Sequence, residues 1–167
     1  TTIQVNIGKR CNQTCSHCHV ESSPFRRENM ELKTIVRILD LLKDKKDIKT
    51  VDITGGAPEL NPHFRYFVKK LRKMNYEVID RCNLTVLFEK DQEDTAEFLA
   101  QQKVQIVASL PCYIEDNVDL QRGKGVFAKS IASLKNLNQL GYADQKSNLK
   151  LNLVYNPVGE HLPGSQK

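Results

Sequence analysis

Cys11, Cys15 and Cys18 fall within eight residues near the start of the chain, spaced C-x3-C-x2-C. Thiolates are soft ligands, suited to iron–sulfur clusters, zinc or copper(I). A four-residue step followed by a three-residue step lets one short loop wrap three corners of a small object. Three thiolates on a four-iron cube leave one iron without a protein ligand, and an open iron can bind a substrate. Two other chemistries compete. A structural zinc site would take His17 or His19 as fourth ligand, but such sites more often use two ligand pairs, and there is no second C-x2-C. A disulfide scaffold fits poorly with an odd count of five cysteines and no secretory-signal pattern. Free thiols of this kind point to a reducing, cytoplasmic setting.

The three thiols act together only if a scaffold holds their loop. Ile3, Val5 and Ile7 alternate in a first predicted strand over 2–7. Asn29 is placed to cap a helix in which Leu32, Ile35, Val36, Leu39 and Leu42 share one face. Thr50–Thr54 reads as a second strand. Asn61-Pro62 reads as a helix start with proline in the first turn, and Phe64, Phe67, Val68 and Leu71 form its buried stripe. Strands are predicted at Glu77–Asp80, 104–108 and 149–155, and helices at 91–102 and 126–140, the last closed by Gly141. Leu84–Phe88 is ambiguous, and 121–125 reads as part of a longer loop.

Alternating strands and helices imply a parallel sheet with right-handed crossovers. Five units fall short of the eight that close a (β/α) barrel. The expected fold is therefore α/β, a partial (β/α) barrel over 1–160, with a curved parallel sheet, helices outside and an irregular tail at 161–167. A bare edge after the fifth strand leads us to expect that the natural protein continues past Lys167.

In such folds ligands bind at the carboxyl ends of the strands. The unusual residues fall there. After the first strand come the three cysteines, and after the second Gly55-Gly56-Ala57-Pro58-Glu59. After the third come Arg81-Cys82-Asn83, after the fourth Ser109-Leu-Pro-Cys112, and after the fifth Asn156-Pro-Val-Gly159. Glycine without Cβ lets backbone reach a ligand closely; an ordinary tight turn is the plainer reading of Gly55-Gly56. Cys82 and Cys112 follow neighbouring strands. They are packing cysteines, ligands of a second cluster, or holders of a thiophilic substrate.

The net charge of +5 is modest, and the most charged run, Lys43-Asp-Lys-Lys-Asp47, mixes signs. No basic stripe with interleaved aromatics appears, so nucleic acid is not an expected partner. No apolar run is long enough to span a membrane.

The cysteine spacing resembles the signature of the radical S-adenosylmethionine (SAM) enzymes. That resemblance implies a part-barrel core, a [4Fe–4S] cluster on Cys11, Cys15 and Cys18, and SAM chelated to the free iron by its amine and carboxylate. A reducing electron donor is implied too, with cleavage of SAM to a 5′-deoxyadenosyl radical. His17 stands where the family usually has an aromatic residue. Gly55, Gly56 and Ala57 stand where a GGE-like motif holds the SAM amino group through backbone; the glutamate is displaced to Glu59, whose role stays open. Ser109 and Arg122 match residues that hold the ribose and the carboxylate, and His17 and Val154 are the implied adenine contacts.

Longer blocks, Ile53-Thr-Gly-Gly-Ala-Pro-Glu-Leu60, Asp80-Arg-Cys-Asn-Leu-Thr85, Ala108-Ser-Leu-Pro-Cys-Tyr113, Gln121-Arg-Gly-Lys-Gly-Val-Phe127 and Asn152-Leu-Val-Tyr-Asn-Pro157, resemble the arsenosugar-biosynthesis radical SAM family over 3–163. Those proteins carry a further cysteine-containing C-terminal region. The implied reaction joins the deoxyadenosyl group to a dimethylated trivalent arsenical, a soft species for which Cys82 and Cys112 are the candidate thiols. Two other expectations stand beside it: a radical SAM enzyme acting on a peptide or other small molecule, and a non-catalytic iron–sulfur or zinc module.

Overall fold

Five short strands build one parallel sheet in chain order: β1 (Thr2–Asn6), β2 (Thr50–Thr54), β3 (Glu77–Asp80), β4 (Gln105–Ser109) and β5 (Leu151–Val154). The computed structural model describes residues 1–16 and 18–155. His17, Asn156-Pro-Val-Gly159 and the expected tail at 161–167 lie outside the described residues. Between the strands run α1 (Leu32–Leu42), α2 (Phe64–Lys73), α3 (Thr95–Gln101), α4 (Glu115–Arg122) and α5 (Val126–Gln139). Sequential parallel strands with crossovers of one hand put the connecting helices on one side. This is the expected open part-barrel of five units.

The register separates two faces of the sheet. Val5, Ile53, Asp80, Ile106 and Leu151 form one row across it, and this face packs on Ile35, Leu39, Phe67, Leu71, Leu99 and Leu137 of the helices in one core. Neighbouring rows point the other way. They carry Gln4, Asp52, Thr54, Arg81, Val107 and Ser109. There Arg81 donates to both oxygens of Asp52 at 2.8–3.1 Å, and Gln4 Nε2 donates to Asp52 Oδ2 at 3.0 Å.

Three local expectations are corrected. Asn29 does not cap α1; it bridges to Gly8, and Glu31 occupies the N-cap position without a side-chain bond. Leu32 and Val36 are 42% and 38% exposed, so only Ile35, Leu39 and Leu42 bury the face of α1. Helix α2 starts at Phe64, beyond Pro62. Asn61 acts instead as a buried clasp: its Nδ2 donates to Ile7 O (2.8 Å) and Met30 O (3.2 Å), and its Oδ1 accepts from His63 N (2.8 Å). The ambiguous stretch Leu84–Phe88 is a 3₁₀ turn, pinned by Ser133 Oγ donating to Leu84 O at 2.7 Å. Gly141, at φ +97°, closes α5 as expected, with Tyr142 N bonding back to Leu137 O.

The expected loop after β4 contains a helix, α4. Its sequence carries little amphipathic signal, because it buries only Val118, Gln121 and Arg122 while Leu120 is exposed. Glu115 and Asp116 in its first turn suit a helix N-terminus. Asp119 then accepts from Gly125 N (2.6 Å) and Phe127 N (3.0 Å), capping α5 from outside. Arg122 therefore ends a helix and is held in place by it.

Asn61→Ala should cost roughly 2–4 kcal/mol, since it strips partners from two buried carbonyls and one N–H. Urea unfolding checks this, and a loss below about 1 kcal/mol would show that the clasp is replaced by water.

A three-cysteine cavity at the carboxyl ends of the strands

A cavity of about 230 Å³ opens at the carboxyl ends of the strands. Its lining includes Cys11, Cys15, Cys18, Gly55, Gly56, Ser109, Arg122 and Val154. Residues from the loops after β1 and β2, the ends of β4 and β5 and the end of α4, chosen in the sequence for their chemistry, thus meet at one place. His19 borders the same space. Ala57 is buried beside the lining, and its N–H donates to Arg10 O at 2.9 Å.

The cysteine loop is held by backbone. Gly56 N donates to Gly8 O at 3.0 Å, and Cys11 N to Ser23 O at 3.2 Å. A Cβ on Gly55 would stand 2.6 Å from Gly8 O, and one on Gly56 would stand 2.5 Å from Arg10 O and 2.8 Å from Ser22 Oγ. The glycines are required because two loops lie back to back, a reason that a motif alone does not disclose. Gly55 also sits at φ +153°, in the region that favours glycine.

The thiols differ in setting. Burial pushes the pKa of Cys11 up, and its hydrogen bonds only partly offset this. For Cys18 burial also pushes upward, but backbone N–H groups of Ser22, Val20 and Glu21 outweigh it and bring the thiol below its ordinary value. Ser22 N lies 3.3 Å from Cys18 Sγ.

Arg122 lines the cavity with two of its N–H groups engaged, while its Nε is buried without a partner among the described residues. Its Nη1 donates to Ser109 O, and its Nη2 to Asn83 Oδ1 at 3.1 Å. Asn12 and Asn83 are the residues sequence reasoning left without a role. Asn83 was placed at the rim, and strand alternation was the signal that would have turned it away from the helix layer, to meet Cys11 and Arg122 behind the lining.

Cys82 is corrected. It pairs beyond β3 with β4 through Cys82 N–Val107 O and Ser109 N–Cys82 O, which puts its side chain on the helix face with Ala108. It is wholly buried and does not line the cavity. Cys112 is also buried and outside the lining. Its sulfur accepts from Ile114 N (3.4 Å) and Asn117 Nδ2 (3.6 Å) and lies 3.8 Å from Tyr155 Oη. Burial raises its pKa, but these bonds outweigh burial and leave it below the ordinary value.

Under the cavity, Glu59, Asp80 and Cys82 bring two carboxyl oxygens and a sulfur within 4.8 Å of one another, all buried. Among the described residues none of the four carboxyl oxygens makes a full hydrogen bond, although the backbone of Asn83 lies near enough to Glu59 to offset part of the burial effect. The set would also suit a divalent cation, but three adjacent anions in an apolar core would leave net charge buried even around one, and protons remove that cost. Burial raises the pKa of Glu59 from 4.5 to about 7. Asp80 is raised well above its ordinary range by burial and then by Glu59, and Cys82 by burial and both acids.

The family model "Radical SAM superfamily" matches residues 5–157. The chain belongs to the radical SAM superfamily. It is 31% identical over 137 residues to the antilisterial bacteriocin subtilosin biosynthesis protein AlbA of Bacillus subtilis (strain 168), covering 79% of this chain and 29% of that one. It is 31% identical over 138 residues to mycofactocin maturase MftC of Mycobacterium ulcerans (strain Agy99), covering 81% and 36%. The fold matches Streptococcus suis SuiB bound to SAM with a TM-score of 0.70 at 20% identity, over 90% of this chain and 33% of that one. SuiB bound to its precursor peptide SuiA matches at 0.71, over 91% and 32%. The chain thus spans about a third of the length of these proteins.

Radical SAM proteins use a [4Fe–4S] cluster and SAM, and the donor set fits. Three unpaired thiols converge on one cavity, and soft sulfur suits iron–sulfur clusters. Expression with Gly56→Ala should give a folded sheet by circular dichroism but less than half the wild-type iron after anaerobic reconstitution, because the Cβ displaces Arg10 beside Cys11. Full iron content would show that the loops tolerate separation.

The acid pair carries a pH signature. Glu59 ionises near 4.5 when unfolded and near 7 when folded, so its favourable contribution is complete below about pH 4.5 and is lost as pH rises through 7. Glu59→Gln should therefore gain stability relative to wild type between pH 5 and pH 8. A difference independent of pH would mean that the pair is already ionised or metal-bound.

Proposed function

We propose that this chain is the cofactor-holding core of a radical SAM enzyme that modifies a peptide. The observation that carries the reading is the convergence of Cys11, Cys15 and Cys18 with Gly55, Gly56 and Ser109 on one cavity. The three thiolates would hold the cluster, and the β2–α2 loop would offer backbone to the amino group of SAM. Ser109 and Val154, paired across β4 and β5 on the cavity face, would border the ribose and adenine. When bound, the cluster and SAM supply a one-electron reduction that yields a 5′-deoxyadenosyl radical, the electron coming from a separate reducing donor. The protein's part is to place the three sulfurs, shape the cavity and keep the loops packed. A peptide substrate is supported by similarity to AlbA, a bacteriocin biosynthesis protein, and by the fold shared with SuiB in its precursor-peptide complex.

A second reading, adenosylation of a methylated trivalent arsenical, is favoured by Cys112. Its sulfur accepts hydrogen bonds that bring the thiol below its ordinary pKa, and it sits next to Pro111 of the lining. Trivalent arsenic binds thiolates, and the hydrogen-bonded Cys112 would be the holding group. Cys82, sealed in the helix layer, has no part in it.

Low-temperature electron paramagnetic resonance of the reconstituted, reduced protein should show a cluster signal that changes on adding SAM. Zinc without iron after anaerobic purification would leave the radical reading with no chemistry. Incubation with SAM, reductant and dimethylarsinous acid, followed by mass spectrometry, separates the two substrates. An adenosylated arsenical lost in Cys112→Ser would overturn the peptide reading, and its absence would overturn the arsenical one.

A further inference from the structure

Asn83 is fully engaged by side chains from four directions. Its Nδ2 donates to Cys11 Sγ at 3.5 Å and to Asn12 Oδ1 at 2.6 Å. Its Oδ1 accepts from Arg122 Nη2 at 3.1 Å and from Thr85 Oγ1 at 3.3 Å. Asn12 is fixed in turn, because its Nδ2 donates to Thr85 Oγ1 (3.0 Å) and Glu89 Oε1 (2.9 Å). Asn83, Thr85 and Arg122 are all more than nine-tenths buried, so water does not compete for these bonds.

The arrangement determines which way round the amide lies. Guanidinium is donor-only, so the atom of Asn83 that faces Arg122 must be the oxygen. The amide nitrogen is then turned onto the Cys11 sulfur. Without Arg122, a flipped amide would present its carbonyl oxygen to an electron-rich thiolate and repel it. Arg122 is itself anchored through Nη1 on Ser109 O and carried by the last turn of α4. A rigid path therefore runs from α4 through Asn83 to one cysteine of the three. Cys18 receives a backbone N–H from Ser22 and Cys11 one from Gln13, which no side-chain substitution removes, so the Asn83 amide is the part of the Cys11 setting that a substitution can change.

We propose that Asn83 tunes the cluster through Cys11, with Arg122 as the positioning residue that orients its amide. An N–H directed at a ligand sulfur stabilises the reduced, more negative state more than the oxidised one, and so raises the reduction potential. This rests on Cys11 being a cluster ligand, and gives Arg122 a part in the cluster's electronics through the N–H groups already committed to Ser109 and Asn83.

The test is a redox titration of the reconstituted full chain followed by electron paramagnetic resonance, without SAM or substrate. Iron and sulfide per chain are measured in parallel. Asn83→Leu should shift the midpoint to more negative potential at unchanged iron content. Arg122→Lys, which keeps the charge but loses the fork, should shift it in the same direction by a smaller amount. In an Asn83→Leu background, Arg122→Lys should add nothing further, because its effect passes through the amide. Should Asn83→Leu take up no iron, Arg122→Lys alone carries the comparison. Iron-loaded variants titrating at the wild-type potential would overturn the relay and leave the cluster site standing. Additive shifts would mean that Arg122 reaches the cluster by a route other than the amide and would overturn its positioning role. A wild-type chain that takes up no iron would overturn the underlying site as well.

Discussion

The site depends on two loops approaching each other more closely than any side chain allows. The backbone after β2 lies against the backbone after β1 so tightly that a single methyl group at Gly55 or Gly56 would overlap a carbonyl oxygen. That contact fixes where the chain turns after Ile7, and hence where Cys11 begins the wrap of three thiols. Asn61 reinforces it from below by tying Ile7 to Met30 and to the start of α2. Ligand geometry in a loop is only as good as the loop's own support. Here that support is main chain on main chain, with few rotamers to relax.

Strand periodicity then decides which polar residues reach the cavity. At the end of β3 four successive residues alternate between two environments: Asp80 and Cys82 enter the helix layer, while Arg81 and Asn83 turn to the open face. Proximity in sequence to the rim made Cys82 look like a cavity thiol. Its register with Ala108 and its even spacing from Asp80 contain the opposite answer. Alternation was readable from the residues alone; what was missing was the knowledge that pairing with β4 continues past the named strand.

The strands, their order and the rim were legible because short apolar runs, double glycine and clustered cysteine are strong local signals. Cys11, Cys15, Cys18, Gly55, Gly56, Ser109, Arg122 and Val154 share one lining for that reason, whereas Ala57, Cys82 and Cys112 stand outside it. Helix α4 was hidden because its buried face holds one apolar residue, Val118, beside Gln121 and Arg122. A polar helix at a sheet's mouth has no periodicity to display. Missing it turned Arg122 into a loop residue free to meet a ligand, whereas the helix end commits both of its terminal nitrogens. The Asn12–Asn83 contact joins residues 71 apart in sequence, and nothing local announces it.

The charge states on the two sides of β3 depend on each other. On the cavity side three thiolates would gather negative charge around whatever they bind, with the buried guanidinium of Arg122 close by. On the helix side, Glu59 lies near enough to act on Cys11, whose pKa it helps to raise. Were both acids ionised, two further negative charges would sit under an anionic site with no cation in contact. In a medium of low dielectric that repulsion outweighs any structural gain from the carboxylates. Neutral acids avoid it. Burial of both acids, which raises their pKa values, thus favours the charge state that sits most easily beneath an anionic thiol loop.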